Sequence, residues 1–324
     1  MSDRKVIEQP VAVEFKRFNE DFDASLRSQE RLLQHAIDII FESTGKHIRP
    51  LMVLLSAKAC GKITENTINS AVLLELLHTA TLIHDDVVDE TKLRRGVSSL
   101  NAIFDNRIAV LVGDYVLSSA LVRSTLTQNL RIITIISSLG RELAEGEICQ
   151  LETAEETVVD EVRYMEVIKK KTASMLSATC EIGAITAEAS PEIVSSCAQF
   201  GELLGFCFQI KDDIFDYYHD ASIGKPTGND IKEGKVTLPL LFALQNGDKV
   251  TAAKCKAIID EKAFSDENIE FLIRFAIENG GIEYAEKRMK EYHDQAIELI
   301  NRLPKSEAQQ SLVMLADYII QRNN

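Results

Sequence analysis

At 324 residues the chain is long enough to bury a sizeable core, and 36 basic against 50 acidic side chains leave a net charge of −14. That balance argues against a nucleic-acid partner, whose phosphates call for an excess of cations, so the basic residues must act locally. Only 6 Pro and 15 Gly punctuate a sequence rich in Leu, Ile, Ala, Glu and Lys. An all-α fold of long helices is predicted, with 1–324 as one domain.

The opening MSDRKVIEQPVAVEF has no apolar signal core, and no stretch approaches about eighteen uninterrupted apolar residues, which disfavours secretion and membrane spanning. Cys60, Cys149, Cys180, Cys197, Cys207 and Cys255 show no CxxC or zinc spacing and read as buried free thiols in a reducing cytoplasm. From Val11 to Glu42, apolar residues three and four apart predict two amphipathic helices. GKHIRP then sets Lys46, His47 and Arg49 before Pro50, in the first turn of an apolar helix running to Cys60. Cations there oppose the helix dipole, so the segment reads either as an anion site or as a solvated basic turn.

After a turn at Gly61 to Thr64, a long helix runs into Asp85, Asp86 and Asp89, followed by Arg94 and Arg95. Asp85 and Asp89, four apart, stack on one face, with His78 two turns deeper on about the same face. His84 reads as structural. Apolar helices are predicted for Asn101–Gln128 and from Leu130 to Leu151. ETAEETVVDE reads as a solvated linker and helix start, and KKKTASML opens a helix from Ser174 to Ala189. Of Lys169, Lys170 and Lys171, one or two at most can point into a cleft.

A second apolar run, FGELLGFCFQI, ends in Asp212, Asp213 and Asp216, again at i, i+1 and i+4. One such cluster alone reads as a solvated acidic helix end. Two clusters, each trailed by basic residues (Lys225, Lys232 and Lys235 after the second), point to two acidic faces serving a magnesium diphosphate, because Mg²⁺ takes one or two carboxylates plus phosphate oxygens. The stretch ASIGKPTGNDIKEGKVTLPL reads as a Gly- and Lys-rich lid or as an ordinary surface loop. Residues 240–324 return to amphipathic helices without a chemical constellation.

Together, DDVVD with LRRG, DDIFD preceded by FQI, the upstream GKHIRP, the LLHTATLIHDD helix and the GKPTGNDIKEGKVTLP loop resemble the all-trans isoprenyl diphosphate synthases, in particular the octaprenyl and solanesyl type. The resemblance implies an all-α bundle of the type I isoprenoid synthase fold around a deep cavity, a homodimer, and about three Mg²⁺. It assigns Asp85, Asp89 and Asp212 as principal metal ligands, supported by Asp86, Asp213 and Asp216. It further assigns Lys46, Arg49, His78 and Arg95 to isopentenyl diphosphate, and Arg94, Lys171, Thr172, Gln209, Lys225 and Lys235 to the allylic diphosphate. Members commonly have Arg in place of His47, which receives no role. The chemistry implied is ionisation of the allylic C1–O bond, with metal, Arg and Lys stabilising the leaving diphosphate, and attack by the isopentenyl double bond.

Short-chain members are similar but often place an aromatic residue at the position of Ala80 or Thr81. Here small residues stand at both, with Leu77 below, so a medium-to-long product for a quinone side chain is expected, each helical turn gauging about one isoprene unit. A floor on a helix from Leu126 to Ile136 is expected. The alternatives are a short-chain farnesyl or geranylgeranyl diphosphate synthase, a non-catalytic partner subunit, whose aspartate motifs are usually degraded, and a terpene cyclase, which normally lacks the second motif and GKHIRP. Release of so apolar a long-chain product is expected to involve transient membrane contact.

Overall fold

The computed structural model describes residues 2–42, 45–94, 96–155, 160–218 and 228–322. Helices account for nearly all regular structure there, with one two-stranded ribbon pairing Leu93 with Ser98 and Arg94 with Val97. The chain forms two compact units: Met1–Gly140, Ala178–Ala198 and Asn301–Leu312 in one, Arg141–Ser177, Gln199–Ile300 and Val313–Asn324 in the other.

The first unit is built around the helix Glu65–Val88. Thr64 caps it reciprocally: its hydroxyl accepts from the Thr67 amide, and the Thr67 hydroxyl accepts from the Thr64 amide. Every side chain from Thr67 to Leu77 is buried, as expected of a helix that is apolar almost all round. Ile48–Cys60, Ala12–Leu26 and Asn106–Leu126 pack against it. Arg123 ties three of these together, donating to Ser25 Oγ at 3.0 Å, Asn69 Oδ1 at 2.9 Å and the Asp21 carbonyl at 3.0 Å. Beyond Leu77 burial narrows to Ala80, Ile83 and Asp86, and His78, Thr81, Leu82 and Asp85 become half-exposed.

Two expected elements differ. The stretch Asn101–Gln128 is two helices, Leu100–Ile103 and Asn106–Leu126, because the Asp105 carboxylate caps the second by accepting from the Ile108 amide at 2.9 Å. The helix expected from Leu126 to Ile136 is interrupted: Gln128 has φ +48°, and Asn129 Oδ1 accepts from the Arg131 amide to start Leu130–Glu155.

In the second unit the apolar helix Leu238–Asn246 lies among Lys249–Asp260, Asp266–Glu278 and Gly281–Ile300. A π-helical turn, Lys169–Ala173, follows Glu161–Ile168. It is met at very close range by Gly205 of Pro191–Phe215: a Cβ at Gly205 would lie 2.3 Å from Ala173 Cα, and one at Gly201 2.2 Å from the Leu176 carbonyl oxygen. The six cysteines are all free thiols, five of them buried. Cys60 and Cys197, both in the first unit, bring their sulfurs to 3.6 Å.

Gly205→Ala is therefore expected to cost about 1–3 kcal/mol through overpacking, read as a lowered Tm in thermal denaturation. Gly140→Ala, where nothing lies within 4 Å of the added Cβ, is expected to leave Tm unchanged or to raise it.

Candidate active site

Both aspartate motifs sit at the C-terminal ends of long helices. Asp85 and Asp86 occupy the last turn of Glu65–Val88, and Asp89 closes it with its amide bonded to the Asp85 carbonyl at 2.8 Å. Asp212 and Asp213 lie in the last turn of Pro191–Phe215, and Asp216 follows directly. Unsatisfied carbonyls give such an end partial negative charge, so carboxylates there are destabilised until a cation joins them.

In the first unit the half-exposed face of Glu65–Val88 carries His78, Thr81, Asp85 and, just past the helix, Asp89, spaced three or four apart. Asp86 points elsewhere. It is buried, and Arg94 of the ribbon donates to its Oδ1 from Nε at 2.7 Å and Nη2 at 2.5 Å. Asn101 Nδ2 and the Thr91 amide bind the Asp86 carbonyl, which fixes the turn after the motif. Two residues assigned to metal and to allylic diphosphate, Asp86 and Arg94, are thus brought together on one another. His84 lies over Gly113, where a Cβ would come within 2.3 Å of its Nε2, a packing role.

The GKHIRP segment starts Ile48–Cys60 with His47 in the left-handed region at φ +44°. The ring is gripped edge-on by Phe18 and Phe22, with centroids at 5.3 and 5.5 Å. Its Nδ1 lies 3.1 Å from Asn19 Oδ1, and its Nε2 3.8 Å from Glu75 Oε1. This packing explains a histidine at that position and leaves Lys46 exposed and Arg49 half-buried beside it.

The second unit holds a continuous polar chain. Thr172 Oγ1 donates to Gln209 Oε1 at 2.8 Å, Gln209 Nε2 donates to Asp213 Oδ1 at 2.8 Å, and the Tyr164 hydroxyl donates to Asp213 Oδ2 at 2.7 Å. Burial, reinforced by the charge of Asp230 and partly offset by the Tyr164 and Gln209 donors, pushes the Asp213 carboxyl up to about 8. Burial, then the charge of Asp216, raises Asp230 to about 6, against the pull of Lys235. Asp216 accepts from the Asn229 and Asp230 amides at 3.1 and 3.0 Å, capping the short helix Asn229–Lys232. Asp212 is met by Arg322, whose Nη2 lies 2.6 Å from Oδ1.

A cavity of about 170 Å³ adjoins this chain, lined by Lys171, Gln209, Asp213, Asp230, Lys235 and Thr237 among others. The three consecutive lysines diverge, as helical geometry requires: Lys169 pairs with Glu202, Lys170 with Glu166, and Lys171 with Glu147 at 2.9 Å and Gln150 at 3.0 Å. Only Lys171 faces the cavity. Lys235 also lines it, with Nζ 2.5 Å from Glu233 Oε2. Arg95 and Lys225 lie outside the described residues. Tyr164, Asp230 and Arg322 were not anticipated from sequence. Asp230 stood inside the GKPTGNDIKEGK loop, while Tyr164 and Arg322 carry no local signal.

The pattern that defines the polyprenyl synthetase family matches residues 30–275. The chain belongs to that family. It is 36% identical to the octaprenyl diphosphate synthase of Haemophilus influenzae, over 96% of this chain and 94% of that protein. The decaprenyl diphosphate synthase of Rhodobacter capsulatus superposes with a TM-score of 0.92 at 32% identity over 98% of both chains. The geranylgeranyl pyrophosphate synthase of Bacteroides thetaiotaomicron does so with a TM-score of 0.87 at 39% identity, over 99% of this chain and all of that one. The fold is the all-α type I isoprenoid synthase fold, and the family activity is prenyl transfer.

In metal-free protein, the buried Asp213 and half-buried Asp230 carboxyls hold protons that the unfolded chain gives up near pH 4, so their burden on stability grows as pH rises from about 4, to about 6 for Asp230 and about 8 for Asp213. Asp213→Asn keeps an acceptor for Tyr164 and carries no charge. With chelator present, urea denaturation is expected to show this variant more stable than wild type at pH 8, the difference closing towards pH 4.

Proposed function

We propose that this family member condenses isopentenyl diphosphate with an allylic diphosphate to build a medium-to-long all-trans polyprenyl diphosphate, using Mg²⁺. The observation that carries the product length is the half-exposed face of Glu65–Val88, where Thr81 stands one turn below Asp85 and no aromatic side chain intervenes. The resemblance to octaprenyl and decaprenyl synthases supports this reading. A geranylgeranyl product is the second reading, favoured by the 39% identity to the Bacteroides enzyme.

The donor set suits a hard cation. All six motif side chains are carboxylates, and among the described residues no three His, Cys, Asp or Glu side chains converge as a protein-only cage. A metal here would complete its shell with diphosphate oxygens, the usual habit of Mg²⁺. Asp85 and Asp89 in the first unit, and Asp212 in the second, would each hold such ions, and once bound these would neutralise the charge that develops on the leaving diphosphate. Lys171 and Lys235 line the cavity as fixed cations for phosphate oxygens. Thr172 and Gln209, locked to one another and to Asp213, present oriented dipoles to the developing allylic cation without offering a reactive nucleophile. Lys46, Arg49 and His78 are assigned to isopentenyl diphosphate.

The same proposal treats 1–324 as one functional domain working as a homodimer in the cytoplasm. Leu111, Val122 and Leu126, with Val110 and Leu121 beside them, form an exposed apolar face on Asn106–Leu126 that suits burial against a second copy. Free thiols throughout suit a reducing compartment.

Incubation with labelled isopentenyl diphosphate, farnesyl diphosphate and Mg²⁺, followed by mass spectrometry of the dephosphorylated products, is expected to give a ladder ending near octaprenyl. A ladder ending at geranylgeranyl would select the second reading. Ala80 and Thr81 separate in this test. Ala80 is 1% exposed, packed within the first unit, whereas Thr81 shares the face of Asp85. Thr81→Phe is expected to shorten the product at near-wild-type stability, and Ala80→Phe to cost about 1–3 kcal/mol by overpacking.

A further inference from the structure

Arg322, just beyond the helix Glu307–Gln321, belongs to the second unit and ends on the second aspartate motif. Its Nη2 donates to Asp212 Oδ1 at 2.6 Å and to the Phe208 carbonyl at 3.1 Å. The guanidinium lies over Phe208, 3.9 Å from the ring centroid, with Phe215 at 5.7 Å. Its side chain is 13% exposed while that of Asp212 is 41% exposed, so the arginine is the committed partner and the carboxylate still faces solvent. The buried Nε finds no hydrogen-bond acceptor among the described residues.

These contacts put a cation where the helix end demands one. A carboxylate in the last turn of Pro191–Phe215 is opposed by the dipole, and a nearby guanidinium relieves it. Docking is nonetheless imperfect, because an unmet buried N–H is a standing cost that release into water removes. A divalent cation arriving on the same carboxylate would be repelled by the guanidinium at close range.

We propose that Arg322 is the resident counter-cation of the second aspartate motif: it neutralises and orients Asp212 in the unloaded protein and is displaced when Mg²⁺–diphosphate binds. Arg322 then sets metal affinity by competition for Asp212. The inference rests on the reading of Asp212 as a metal ligand.

The test is calorimetric titration of Mg²⁺ into the full-length protein with inorganic pyrophosphate, for wild type, Arg322→Gln, Arg322→Ala and Arg322→Lys. Loss of the competing charge is expected to tighten apparent Mg²⁺ affinity about fivefold or more in the Gln and Ala variants, with Lys close to wild type. Hydrogen exchange of wild-type residues 313–322 is expected to quicken on adding Mg²⁺ and pyrophosphate, a readout independent of turnover. Unchanged or weakened affinity in the Gln and Ala variants, or slower exchange at 313–322, would overturn the proposal while leaving the synthase reading intact. Failure of wild type to bind Mg²⁺ with pyrophosphate at all would overturn both.

Discussion

Carboxylates gathered at the C-terminal ends of two long helices are the constraint on which the rest depends. Asp85, Asp86 and Asp89 close Glu65–Val88, and Asp212, Asp213 and Asp216 close Pro191–Phe215. Dipole and like charges both oppose them. The protein answers differently at each position. Arg94 holds Asp86, Arg322 holds Asp212, backbone amides hold Asp216, and Tyr164 with Gln209 hold Asp213. Asp85 and Asp89 stand on the half-exposed or exposed side of their helix end.

Placement of such charges at helix ends requires scaffolding that does not yield. Glu65–Val88 is enclosed on all sides as far as Leu77, so its exposed face above that point is held by a packed stem. In the second unit, Gly201 and Gly205 let Pro191–Phe215 approach Leu176 and Ala173 so closely that even a methyl group would clash. That approach brings Gln209 within reach of Thr172, and the π turn at Lys169–Ala173 sends Lys171 towards the cavity while its two neighbours pair elsewhere. A local departure from α-helical pitch at a functional position is a recurring use of π turns.

The helical class and both aspartate motifs were legible in the sequence because they are local: 3.6-residue periodicity, and a repeated DDxxD after an apolar run. The break at Asp105 was missed because a single capping side chain overrode a continuous apolar pattern. The partners of the acidic residues were not legible, since Tyr164 with Asp213 and Arg322 with Asp212 join positions far apart in the chain, and no spacing rule connects them. His47 shows the reverse. An apparent departure from the family pattern has a plain explanation in Phe18, Phe22, Asn19 and Glu75, none of which lies near it in sequence.

If the helix-end carboxylates are seats for a metal diphosphate, anion binding must depend on the cation. Equilibrium binding of pyrophosphate, measured with and without Mg²⁺ for wild type, Asp85→Asn and Asp212→Asn, tests this most directly. Binding only with Mg²⁺, weakened in both variants, is the predicted result. Equal pyrophosphate affinity with chelator present, or no effect of either substitution, would contradict it and leave the basic residues alone as the anion site.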